Sequence, residues 1–187
     1  MVLENYSWIY NKSLPKYICD QIIKYALKKQ FMKGTTGDNN KNNTRNSNII
    51  WNKEPWINNL VMQYIRAANR EAGWNFDISS NEDIQFTIYN ENQYYDWHVD
   101  SWEKVYKNTG YIRKLSASIL LNDNFEGGEF QFNLRNHNKE NNKFTINQSK
   151  ETGTVIVFPS HLLHKVNKVT GGTRYSLVCW ALGKPFK

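Results

Sequence analysis

Past Gly73 the chain changes texture. The short runs "DIQFTIY", "KLSASILL", "GEFQFNL", "KFTINQ", "GTVIVF" and "RYSLVCWAL" follow one another, separated by turn-rich pieces such as "NDNFEGG" and "TGGT". A series of short alternating or apolar runs with turn signals folds as a sandwich, jelly roll or barrel. Ahead of Gly73 the period is helical instead. "SLPKYICDQIIKYALKKQ" repeats Leu14, Ile18, Ile22 and Ala26, with Ser13 placed to cap the helix and Pro15 suited to its first turn. "PWINNLVMQYIRAANREAG" starts at Pro55, carries the stripe Leu60, Val61, Tyr64, Ile65 and Ala68, and stops at Gly73. Between the two, "KGTTGDNNKNNTRNSN" is polar and rich in turn formers, which predicts a flexible surface loop. Helices first and strands second predict an α+β chain with the helices packed on one side of a β core.

At 187 residues the chain is long enough for one domain with a real core, spanning 1–187. Its helical part is about 1–74 and its β core about 83–183. The formal charge is +7, but Lys and Arg are spread along the chain, which points only weakly to nucleic acid. The two cysteines, Cys19 and Cys179, form no CxxC pair and no disulfide framework. No apolar run approaches membrane-spanning length, and "MVLENYSWIYNKSLP" has no long apolar run and no basic leader, so no signal peptide is expected. These features predict a soluble cytoplasmic protein with no membrane partner. They specify no oligomeric state.

Alternation gives the strand residues a facing. In "RYSLVCWAL", Arg174, Ser176, Val178 and Trp180 share one face, and the apolar Tyr175, Leu177, Cys179 and Ala181 share the other. In "DIQFTIY", Ile84, Phe86 and Ile88 oppose Gln85, Thr87 and Tyr89. Each strand thus carries one greasy and one mixed polar face. The polar faces suit either solvent or a barrel lumen that binds something polar, and Trp180 beside an Arg favours the lumen.

"YYDWHVDSW" carries the chemistry. Residues i and i+2 of an extended segment point the same way, so His98 and Asp100 can reach one ion. A third ligand must come from the remaining histidines. His137 lies in the polar "RNHNKENN", while His161 and His164 follow "GTVIVFPS", where a buried strand ends. Either of the last two can complete a two-His-one-carboxylate set, which holds one face of an octahedral ion and leaves the others open for substrate and dioxygen.

Over about 83–180 the chain resembles the 2-oxoglutarate- and Fe(II)-dependent dioxygenases, in their prolyl 4-hydroxylase-like, PKHD-type branch. "IYNENQYYDWHVD" is similar to that branch's Tyr-turn-Tyr-His-x-Asp segment. "LSASILLNDNFEGGEFQF" resembles its Gly-Gly-Glu hairpin, and "GTVIVFPSHLLHKVNKVTGGTRYSLVCW" its distal-histidine segment with an Arg-x-Ser strand. The resemblance implies a distorted double-stranded β-helix, or jelly roll. It implies His98, Asp100 and His164 as ligands of Fe(II), His164 being favoured over His161 by the Val two residues on. It also implies Arg174 and Tyr89 on 2-oxoglutarate, with Tyr95 and Trp180 bordering the substrate. The reaction it implies is O2-dependent hydroxylation of an unactivated C–H bond, most simply of a prolyl residue in a peptide or protein, with ascorbate as reductant. The turn between the two tyrosines usually carries Gly. Here it carries Asn92, which tolerates the left-handed region.

The residue chemistry agrees. The planar fork of Arg174 suits a carboxylate, and a lumenal Arg is costly unless an anion or acidic side chain meets it. Ser176, on the same face, can add a donor. The "EGG" turn at Glu126 to Gly128 reads as a structural hairpin. The loops 33–48 and 101–114 are candidate substrate lids, the second carrying Lys104, Lys107 and Arg113, although those charges equally suit a solvated face. A zinc hydrolase using the same three ligands would leave Arg174 and Ser176 without a role, and a non-catalytic jelly-roll module would make the spacing coincidental. Nucleic-acid demethylation lacks the second Arg that such oxygenases carry after the cosubstrate Arg.

Overall fold

The structure, a computed structural model, describes residues 5–35, 44–101, 105–133, 143–145 and 150–186. In chain order the elements are β1 (Trp8–Tyr10), α1 (Lys16–Ala26), β2 (Met32–Lys33), β3 (Arg45–Asn46), β4 (Asn48–Asn52), α2 (Pro55–Glu71), β5 (Ser80–Asn81), β6 (Ile84–Tyr89), β7 (Tyr94–His98), β8 (Ile112–Leu120), β9 (Phe125–Gly127), β10 (Phe130–Asn133), β11 (Lys143–Thr145), β12 (Val155–Pro159), β13 (Leu163–Val166), β14 (Val169–Gly172) and β15 (Arg174–Gly183).

Both helices form where their apolar spacing places them, with local corrections. Pro15 itself occupies the cap of α1, in an extended conformation and without a side-chain bond. Ser13 sits two residues too early to cap the helix, and its hydroxyl donates to the Tyr10 carbonyl instead, at 3.4 Å. Helix α2 has Pro55 in its first turn, and the chain leaves it through Gly73 at φ +72°, the left-handed conformation that ends helices. Its most buried stripe is Ile57, Val61, Met62, Ile65 and Ala68, with Leu60 and Tyr64 only half-buried at its margin. Against that stripe pack Ile84, Phe86, Leu115, Ile119, Leu177 and Cys179, all without exposed surface, and they form the main core.

The strands make two sheets. The larger, of eight strands, runs β1-β12-β8-β15-β6-β4-β2, with β5 paired to β15. The smaller runs β11-β10-β13-β7-β3, and β14 pairs β9 in a short ribbon. All assigned pairs are antiparallel. The helices cover one face of the larger sheet. The other face looks at the smaller sheet across a second, aromatic cluster built on Phe130, Phe132 and Phe158. The fold is the expected jelly-roll, double-stranded β-helix with helices on one side.

Residues 1–74 are less purely helical than their pattern implies. They also hold β1, which pairs with β12, and β4, which extends the larger sheet beyond β6. The polar stretch 33–48 holds the end of β2, all of β3 and the start of β4, and residues 36–43 lie outside the described residues. At the fully buried Ser47 the chain crosses from the smaller sheet, where β3 pairs β7, to the larger one. Among the described residues, no helix is long and apolar enough to cross a membrane.

Candidate metal and anion site

His98 closes β7, and Asp100 follows two residues later. The backbone N–H groups of Asp100 and Ser101 both donate to the Ser160 carbonyl at 2.9 Å, which pins the segment. His164, on β13, is the cross-strand partner of His98, so the two imidazoles rise from one face. His98 Nε2 lies 3.8 Å from one Asp100 oxygen, and His164 Nε2 lies 3.5 Å from the other. All three ligand atoms fall within 4.8 Å of one another. Each Nδ1 sits against a backbone carbonyl, Asp96 at 2.7 Å for His98 and Leu162 at 2.8 Å for His164. A neutral ring held in this way donates from Nδ1 and turns its Nε2 lone pair toward Asp100.

Electrostatics keep these groups ready for a cation. Burial pushes the His98 imidazole down to about 3, and the neighbouring His164 adds to this. Burial alone would raise the Asp100 carboxyl, but His164, His98 and Arg113 outweigh it and hold the group below its ordinary range. Neutral imidazole and carboxylate then face each other at neutral pH. Two nitrogen lone pairs and a carboxylate converging on one small space fit a divalent ion with nitrogen and oxygen ligands.

Arg174 opens β15 and lines the same cavity. It is 2 % exposed, its Nη1 donates to Ser176 Oγ at 2.9 Å, and its Nε has no partner. Tyr89 is its cross-strand neighbour, with the ring 5.5 Å from the guanidinium carbon. No carboxylate pairs with Arg174 among the described residues, and burial lowers its pKa accordingly. A buried guanidinium with an idle donor asks for an anion. The "EGG" turn serves this end. Gly128 has φ +63°, and a Cβ there would lie 3.0 Å from the Arg174 Cδ, so glycine clears the path of the side chain.

The cavity encloses about 410 Å³ of atom-free space, part of it open to solvent, and both groups line it. Tyr95 stacks on His98, with centroids 3.4 Å apart and planes 7° from parallel. Trp180 also lines it, and its buried indole N–H has no partner. Of the residues singled out on the two polar strand faces, Gln85, Tyr89, Arg174, Ser176, Val178 and Trp180 line the cavity, while the buried Thr87 does not and donates its hydroxyl to Gln85 Oε1 at 3.3 Å. His161 is exposed and takes no part in the cluster, while His137, Trp102 and Lys104 lie outside the described residues.

The structure gives Arg113 a different role from either one read for it, and it adds Glu82 and Arg45, which the sequence reading did not single out. Arg113 is not a lid cation. Its Nε and Nη2 donate to the two Glu82 oxygens at 2.6 and 2.7 Å, and its guanidinium lies 3.9 Å over Trp180, so it braces the wall of the pocket. Arg45 and Gln85 also line the cavity, bonded to each other at 2.7 Å. Glu82 and Arg113 are 31 residues apart, and Arg45 lies in a polar stretch without periodicity, so no local pattern marks them.

Known proteins share this architecture. The chain is 30% identical over 145 residues to the PKHD-type hydroxylase NE2125 of Nitrosomonas europaea, covering 73% of this chain and 59% of that protein. It is 31% identical over 99 residues to the PKHD-type hydroxylase YbiX of Escherichia coli, covering 51% and 40%. The chain thus spans about half the length of these curated relatives. Among solved structures it superposes on a Pseudomonas putida prolyl-4-hydroxylase with TM-score 0.73 at 18% identity, covering 95% of this chain and 93% of that one. It superposes on the viral collagen prolyl hydroxylase of Paramecium Bursaria Chlorella virus-1 with TM-score 0.71 at 20% identity, covering 96% and 97%. Identities this low speak for the fold alone. The family model "2OG-Fe(II) oxygenase superfamily" matches residues 84–182, from β6 through β15. That stretch contains the triad and Arg174 alike, and the chain belongs to this superfamily.

Proposed function

We propose that the protein is a 2-oxoglutarate- and Fe(II)-dependent dioxygenase that hydroxylates an unactivated C–H bond, with a prolyl residue of a peptide or protein as its substrate. One observation carries the reading: a two-His-one-carboxylate cluster and a buried Arg174, with no acidic partner among the described residues, line one cavity. Fe(II) and 2-oxoglutarate, which the family implies, would there supply the activation of O2 coupled to loss of CO2 from the cosubstrate.

The chain's own residues divide the remaining work. His98, Asp100 and His164 hold the metal, and the Asp96 and Leu162 carbonyls fix the tautomers that make this possible. Arg174 binds the far carboxylate of 2-oxoglutarate through its idle donor. Ser176 orients the Arg174 fork, and the buried Tyr89 lends its hydroxyl. Tyr95 and Trp180 border the substrate, and the Phe130 and Phe158 walls keep water from the site. The prolyl assignment draws on the neighbours' names: three are prolyl hydroxylases, and one of these, from Trichoplax adhaerens, was solved with a hypoxia inducible factor peptide fragment. A hydrolase reading gives Arg174 no charge to meet.

Succinate release under Fe(II) and ascorbate tests the proposal, with proline peptides, free amino acids and methylated oligonucleotides as candidate substrates. Stimulation by a proline peptide is the expected result, and stimulation only by another class reassigns the substrate. His98→Ala should lower 2-oxoglutarate turnover by a factor of about 10³ or more with the circular dichroism spectrum unchanged. Retained turnover removes His98 from the site.

A further inference from the structure

One positive charge in the cavity is left over. On the reading above, a divalent metal, Arg174, Asp100 and a bound dicarboxylate cancel one another, and Arg113 is matched by Glu82 at 2.6 Å. Among the described residues nothing negative matches Arg45. Among the described residues its Nε donates to Ser47 Oγ and its Nη2 to Gln85 Oε1, both at 2.7 Å and both to neutral groups. Its Nη1 has no partner there. Arg45 lines the cavity, and it lies outside the residues 84–182 that the family model matches.

Its position is built and held. β3 carries Arg45 as the cross-strand partner of Tyr95, and the guanidinium lies 4.7 Å over the Tyr95 ring, which in turn stacks on His98. Behind it a Cβ on Gly34 would come within 2.7 Å of the Arg45 Nε, so the backbone closes on that side. The guanidinium is therefore braced by Ser47, Gln85 and Tyr95, beside the ring that stacks on His98. A planar fork fixed in this way, with a donor to spare, matches a carboxylate.

We propose that Arg45 binds a carboxylate carried by the substrate, so that the protein selects molecules with an acidic group close to the carbon that is hydroxylated. This rests on the function proposed above, because there the cosubstrate's charge is already met by the metal and Arg174. The carboxylate can be an acidic side chain next to the target residue or the α-carboxylate of a chain end or free amino acid.

The test measures dissociation constants on the iron-loaded protein with 2-oxoglutarate under nitrogen, where turnover is blocked. Paired probes separate the sources: acetyl-Glu-Pro-amide against acetyl-Gln-Pro-amide, acetyl-Ala-Pro as acid against its amide, and proline against prolinamide. At least one acid should bind tenfold or more tightly than its neutral mate. Arg45→Gln should abolish that preference, with 2-oxoglutarate affinity unchanged, and Arg45→Lys should restore part of it. In air the loss should fall on KM rather than kcat. Wild type that binds acid and neutral members alike, or binds none of them, overturns the proposal. So does an Arg45→Gln variant that weakens both members equally, since Arg45 would then only brace Tyr95 and Gln85. Failure to bind 2-oxoglutarate at all is a different result, and it overturns the proposed function instead.

Discussion

The two faces of β6, β8 and β15 are buried almost equally and built on opposite rules. Toward the helices stand Ile84, Phe86, Ile119, Leu177, Cys179 and Ala181, each with no exposed surface. Toward the smaller sheet stand Gln85, Tyr89, Ser118, Arg174, Ser176 and Trp180, none more than 8 % exposed. The first face is apolar and closed. On the second, Arg174 Nε and Trp180 Nε1 have no partner among the described residues, and Ser118 lines the cavity. An unsatisfied buried donor costs on the order of 1–3 kcal/mol, more when charged. Keeping two such donors on one side of a sheet gives up stability there. Burial alone does not separate core from site, whereas burial without satisfaction does.

Replacing a residue on each face should break stability and binding apart. On the polar face, Arg174→Met is expected to weaken 2-oxoglutarate by roughly two orders of magnitude, the scale of truncating one partner of a buried charge pair. The same change should leave the ligand-free protein as stable as before or more so, because it removes an uncompensated buried charge. Calorimetric titration and a thermal melt on one sample read both effects. A destabilised variant with unchanged 2-oxoglutarate affinity would make Arg174 a structural residue.

On the apolar face, Ile119→Val should do the reverse at smaller scale. It removes one methylene from a position with no exposed surface, directly across from Leu177 in the register, and should cost about 0.5–1.5 kcal/mol of stability. The 2-oxoglutarate affinity should stay within about twofold, because distant sites without shared partners act independently. A loss of affinity comparable to that of Arg174→Met would mean that the two faces are coupled through the sheet.

How much of this the sequence discloses follows the same division. Facing was legible wherever a strand is long enough to alternate. β6 and β15 sort their residues as read, and the spacing His98-Val99-Asp100 put both ligands on one side. Asn92 also adopts the left-handed turn expected of it, at φ +66°. What stayed hidden depends on pairing across the chain. β2 and β3 hold two residues each, too few to show a period. Arg45 lines the cavity only because β3 lies on β7, and Arg113 is a brace only because Glu82 folds back to it. Ser13 has the right chemistry for a cap, but the proline that follows takes the position.

The cysteines give the smallest and most local test of the closed face. Both are free and buried. Burial raises the Cys179 thiol to about 12 and the Cys19 thiol to about 11, because a thiolate there would lose its water, and the fields of Arg113 and Lys16 do not make up that loss. Each folded value lies above the unfolded value of 9.0, so the unfolded chain loses its thiol protons first as pH rises. The stability these groups contribute is therefore fully present below pH 9 and is lost as pH rises through 11 to 12. Cys179→Ala should flatten the alkaline decline relative to wild type while shifting the neutral-pH midpoint only slightly. At pH 8 a thiol reagent should leave the folded protein unmodified and count two thiols per chain once guanidinium unfolds it. Rapid labelling of Cys179 in the folded state would show that water reaches the helix side of β15, and the contrast between the two faces would then rest on chemistry alone rather than on access.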